Sequence, residues 1–84
     1  MKLEEAVLII KEEFPEFKLI NAVDYSNYFV FNITPPEHDI EKDGGWIGGL
    51  VAVDKLFGIT LSFNPLQYNQ LEYAKAIKNN ITYF

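Results

Sequence analysis

Apolar and polar positions alternate along this chain with two periods, a helical one near each end and a period of two in the middle. Leu3, Ala6, Val7, Ile10 and Phe14 recur at spacings of three and four, with Lys2, Glu4, Glu5, Lys11, Glu12 and Glu13 between them. That spacing predicts a helix over Leu3 to Phe14 with one apolar side. Pro15 ends it, because proline disfavours helical backbone in the residue before it. Phe17 to Val23 then predicts a strand, and Asp24-Tyr-Ser-Asn27 a polar turn. In Tyr28 to Ile33 the residues Phe29, Phe31 and Ile33 alternate with Tyr28, Val30 and Asn32, so the phenylalanine side is expected in the core. Tyr25 and Tyr28 are expected toward solvent.

Trp46 to Phe63 is the best-specified hairpin. Leu50 to Val53 is apolar on both sides, as suits a strand covered on both faces. Ile59, Leu61 and Phe63 alternate with Thr60 and Ser62, giving a second strand with one apolar face. Asp54 to Gly58 reverses the chain, with Gly58 free to take positive φ. Asn64-Pro65 predicts a helix start, since Asn caps through its side chain and proline suits the first helical position. Gln67 stands where a capping box wants Glu or Gln. Leu71, Ala74, Ile77 and Ile81 are the expected apolar stripe of that helix, and Asn79-Asn80 its close, Asn tolerating the left-handed cap. Ile81 to Phe84 should pack back or pair as an edge segment.

Helix, strands, helix make an α+β fold. The expectation is a single domain over residues 1–84, with an N-terminal helix, about four antiparallel strands and a C-terminal helix. Both helices are expected on one face of the sheet. Internal repeats, low-complexity tracts and linkers are absent from the sequence.

Charge and composition then narrow the chemistry. The 84 residues carry 12 acidic against seven basic side chains, a formal net charge of -5. Clustered Lys and Arg, which phosphate binding needs, are missing, so nucleic acid and an anionic membrane surface are not expected as partners. A basic protein partner is permitted, since opposite charge would steer it in. There is no cysteine, hence no disulfide, thiolate metal site or thiol nucleophile. The acidic Met1-Lys-Leu-Glu-Glu and the short apolar run Ala6 to Ile10 do not read as a signal or a membrane span, and a cytoplasmic protein is expected.

The densest acidic stretch lies in a predicted loop from Thr34 to Gly45. It opens on Pro35-Pro36, closes on Gly44-Gly45 and holds Glu37, His38, Asp39, Glu41 and Asp43. His38 would have to be the base of any serine triad, and no serine lies near it in sequence. Asp39-Ile-Glu-Lys-Asp43-Gly44 spaces oxygen ligands as calcium loops do, but Leu50 stands at the twelfth position where a bidentate glutamate belongs. The glycine pairs Gly44-Gly45 and Gly48-Gly49 lack the Lys-Ser/Thr of a phosphate loop. Neither a metal nor another cofactor is expected, and the chain does not read as an enzyme. The five tyrosines and Trp46 exceed what so small a core needs, and tyrosine and tryptophan anchor interfaces.

Gly49-Leu-Val-Ala-Val-Asp-Lys-Leu-Phe-Gly58, preceded by Trp46, resembles the glycine, apolar strand, Val-Asp-Lys, glycine hairpin of YrhB-like small bacterial proteins. These are grouped with the immunity proteins of polymorphic-toxin systems. The resemblance extends to an N-terminal helix and an aromatic-rich strand. The same hairpin is shared with PepSY-like domains, so its residues specify a turn. The resemblance implies a non-enzymatic inhibitor that neutralises one cognate toxin by direct contact. For such a role Glu37, Asp39, Glu41, Asp43 and Trp46 form the expected contact patch, the acids steering a basic partner and Trp46 burying at its centre. A self-associating module forming a homodimer is the first alternative, and a small metal-dependent enzyme using the acidic loop is the second.

Overall fold

A computed structural model describes residues 1–36, 49–67 and 69–84 of the chain. Helix α1 (Leu3–Glu13) is followed by strands β1 (Lys18–Tyr25), β2 (Tyr28–Thr34), β3 (Gly49–Asp54) and β4 (Thr60–Ser62). A single 3-10 turn (Pro65–Gln67), helix α2 (Gln70–Asn79) and strand β5 (Ile81–Tyr83) complete it. The strands form one antiparallel sheet in the order β4-β3-β2-β1-β5. The expected α+β fold, with a helix toward each end of a mainly hairpin-built sheet, is what forms.

Cross-strand register explains how the sheet divides its side chains. Ala22 pairs with Phe31, and Phe31 with Val51, while Val23 pairs with Val30, and Val30 with Ala52. Directly paired residues share a face and successive residues alternate, so these two sets point opposite ways. Phe29, Phe31, Ile33, Ala22 and Val53 pack under Ala6 and Ile10 of α1. Val23, Tyr25, Val30, Ala52 and Phe63 pack under Tyr73 and Ala76 of α2. The two helices therefore take opposite faces, and the expectation that they share one is corrected. The physical reason lies in the strands themselves. β1, β2 and β3 are apolar on both sides, so either face left bare would waste burial worth about 25 cal/mol per Å².

Topology requires the same crossing. β4 lies at one edge and β5 at the other, about 19 Å apart across four inter-strand steps. The segment between them must traverse a sheet face, and a ten-residue helix rising about 15 Å supplies most of that distance.

Local departures from the expected pattern are specific. Asn64 does cap, its Oδ1 accepting from Leu66 N at 3.0 Å, but only for the 3-10 turn. The α-helix itself starts later, at Gln70, where Asn69 Oδ1 accepts from Leu71 N and Glu72 N at 3.1 and 3.2 Å. Packing turns Tyr73 and Ala76 toward the sheet, with Ile77 at the border beside Tyr73, while Leu71 and Ala74 stand outside. Tyr25, expected in solvent, is buried in an edge-to-face cluster with Phe63 and Tyr73 at 5.9 and 5.3 Å between ring centroids. Tyr28 is half-buried. α2 closes at Asn79 with Asn80 at φ -130°, so no left-handed cap is used. The tail pairs as an edge strand, as expected, with Asn21, Ala22 and Val23 opposite Tyr83, Thr82 and Ile81. Phe84 then stacks on Phe31 at 6.4 Å.

Candidate functional site

The five residues of the expected contact patch, Glu37, Asp39, Glu41, Asp43 and Trp46, lie outside the described residues, as does His38. Among the described residues, no group of three His, Asp or Glu side chains is placed to hold a metal. No described helix is long and apolar enough to cross a membrane. A depression of about 490 Å³ where α1 begins is lined by Lys2, Glu4, Asp24, Asn79 and Thr82, and Asp24 is already paired with Lys55. On the α2 face a smaller cavity of about 230 Å³ lies among Asn21, Asn32, Leu50, Tyr73 and Ile77. Asn32 Oδ1 and Thr34 Oγ1 are buried on that side of β2 without a hydrogen-bond partner among the described residues.

The tip of the β3–β4 hairpin stands apart from these. Asp54 makes the turn: its Oδ1 accepts from Leu56 N at 2.8 Å and from Phe57 N at 2.9 Å. Its carbonyl accepts from Gly58 N at 2.8 Å, and its own N–H donates to Ile59 O at 2.9 Å. An aspartate is suited to this because its short carboxylate reaches backbone N–H groups two and three residues ahead. Gly58 sits at φ +68°, a conformation that side-chain-bearing residues rarely adopt. Lys55 fastens the turn to the rest of the sheet. Its N–H donates to Asn27 O at 2.8 Å, and its ammonium pairs with Asp24 and donates to Ser26 O at 2.9 Å. The same ammonium lies 4.7 Å from the centre of the Phe29 ring.

What this held turn displays is apolar. Leu56 is 80% exposed, Phe57 72% and Ile59 59%. Single exposed apolar residues are ordinary, whereas several together on one well-bonded turn make an exposed apolar patch. The surface continues onto α1. A Cβ placed on Gly58 would lie 3.2 Å from Met1 Cε and 3.4 Å from Ile9 Cδ1. Thr60 Oγ1 donates to Glu13 Oε2 at 2.6 Å, fixing the end of α1 beside β4. The turn thus sets Gly58 beside Met1 and Ile9 of the N-terminal segment, with Leu56, Phe57 and Ile59 exposed around it on the same hairpin tip.

Sequence reasoning read Asp54 to Gly58 as a reversal and left its apolar content unused. The signal was present: turns favour Gly, Pro, Asn, Asp and Ser, and Leu56-Phe57 stand where those are usual. The chain matches no family model, no curated protein and no solved structure.

Proposed function

We propose that this chain is a non-enzymatic binding protein of the immunity type, which neutralises a cognate bacterial toxin in the cytoplasm by direct protein–protein contact. One observation carries the reading: Leu56, Phe57 and Ile59 are displayed to solvent on a turn held by Asp54 and Lys55. Folding gains little from apolar side chains left in water, whereas burying them against a partner is worth about 1.5–3 kcal/mol each. A turn that holds its shape before binding also avoids the ordering cost of a loose loop. The resemblance of Gly49 to Gly58 to YrhB-like immunity proteins supports the toxin as the partner class. Glu37, Asp39, Glu41, Asp43 and Trp46 are kept as a further contact patch on sequence grounds.

Co-expression with a toxin encoded beside its gene tests the proposal. The chain is expected to restore growth, and the triple variant Leu56→Ser, Phe57→Ser, Ile59→Thr to fail while unfolding in urea within about 0.5 kcal/mol of the parent. Equal protection by a folded triple variant would remove the tip from the interface. Concentration-dependent dimerisation that the triple variant abolishes, without protection, would favour the self-associating alternative.

A further inference from the structure

We infer that the hairpin tip and the adjoining side of α1 form an acid-rimmed apolar plug, and that its occupant is a protein surface bearing an apolar cleft edged by Lys and Arg. The inference deepens the functional reading above and rests on it.

The geometry starts from Ile9. Its Cδ1 borders Gly58, which places Ile9 at the junction of helix and tip. On a helix the surface neighbours of a residue are those three and four positions away. For Ile9 these are Glu5, Glu12 and Glu13, with buried Ala6 as the fourth. Every solvent-facing neighbour of Ile9 on its helix is therefore a carboxylate. Glu13 is located independently by its bond from Thr60, the residue after Ile59.

The cations nearby do not cancel this rim. Lys55, the lysine of the turn, is engaged with Asp24 and Ser26. Lys11 is two positions from Ile9 and so points to another side of α1, while Lys2 and the Met1 ammonium belong to the helix start, about two turns from Ile9 and about three from Glu12 and Glu13. Glu12 and Glu13 also stand at the end of α1 where the helix dipole disfavours acids. Their placement costs the helix a little, and it charges the border of the apolar tip.

Charge also selects among occupants. A second copy of this chain would bring Glu12 and Glu13 against their own counterparts on a molecule of net charge -5, which like-charge repulsion opposes. A surface with basic residues around an apolar cleft meets both parts of the plug.

The experiment uses the whole chain and two synthetic helical peptides of identical leucine pattern, one with lysine and one with glutamate at its polar positions. Binding is followed by amide chemical shifts. The leucine–lysine peptide is expected to shift residues 55–60 together with Ile9 and Glu13, and the leucine–glutamate peptide to bind at least tenfold more weakly. Phe57→Ser should weaken the lysine peptide about tenfold. Glu12→Gln with Glu13→Gln should weaken it several-fold and flatten its salt dependence, while the side-chain amide carbonyl at position 13 can still accept from Thr60. If both peptides bind the tip equally and the glutamine variant changes nothing, the charged-rim inference falls and the tip remains a contact surface. If neither peptide shifts the tip, the plug inference falls, while protection in co-expression still decides the functional reading. Tip shifts that grow with protein concentration alone would replace the basic partner with a second copy.

Discussion

The ammonium of Lys55, in the β3–β4 turn, is paired with the carboxylate of Asp24 at the end of β1, joining two turns that are distant in sequence. The pair is not deeply buried, with side chains 26% and 55% exposed, so its Coulomb term is modest. Lys55 gains more from acting in several ways at once, through Asp24, the Ser26 carbonyl and the Phe29 ring.

Lys55→Met keeps most of the stem and removes all of these interactions. A loss of about 1–2 kcal/mol is expected, combining a charged hydrogen bond with a cation–π contact. Asp24→Asn removes the ion pair alone and should cost under about 1 kcal/mol. Urea unfolding at low and high salt checks both, and the gap between parent and Lys55→Met should narrow as salt rises. Equal costs for the two variants would assign the whole effect to the ion pair.

Gly58→Ala places a methyl group at φ +68°. The neighbouring atoms, Met1 Cε and Ile9 Cδ1, are the far ends of flexible side chains and can give way. Backbone strain should dominate, at about 1–2 kcal/mol. Gly58→Asn should cost less, since asparagine visits this conformation more readily. Thermal unfolding of the two variants decides it, and a costlier asparagine would point to crowding instead.

Thr34→Val should stabilise the chain. Thr34 is 2% exposed and its hydroxyl has no partner among the described residues, so the native residue bears the desolvation cost without a bond in return. Valine has nearly the same shape and suits a strand. A gain of about 1 kcal/mol in urea unfolding is expected, and a loss would mean that the hydroxyl is bonded in solution.

Burial raises the Tyr73 phenol above its usual value near 10. The folded state then holds its proton where the unfolded state has released it. Stability is therefore unaffected by this group below pH 10 and falls as pH rises from there through the raised folded value. Tyr73→Phe should flatten that alkaline loss while leaving stability near pH 7 little changed. An unaltered slope in the phenylalanine variant would place the alkaline loss elsewhere.

The strand alternation of Phe29, Phe31 and Ile33, the amphipathic spacing of α1 and the two-sided apolar character of Leu50 to Val53 could all be read along the chain. They depend on local period, and local period is written in the order of the residues. The reversal at Asp54 to Gly58 was legible for the same reason. Where each helix would lie was not, because opposite faces follow from cross-strand register and from the need to carry the chain from β4 to the far edge. The stripe of α2 was misread because Leu71, Ala74 and Ile77 share a helical spacing with Tyr73 and Ala76 one step round, and only packing of Tyr73 against Tyr25 and Phe63 picks the buried side. The candidate surface was least visible of all. Sequence alone determined that Leu56, Phe57 and Ile59 occupy a turn and its flank, and that Glu5, Glu12 and Glu13 surround Ile9. Only the tertiary structure decided that Ile9 lies against Gly58 and Glu13 beside Thr60, since contacts between distant segments arise from how the sheet buries its faces.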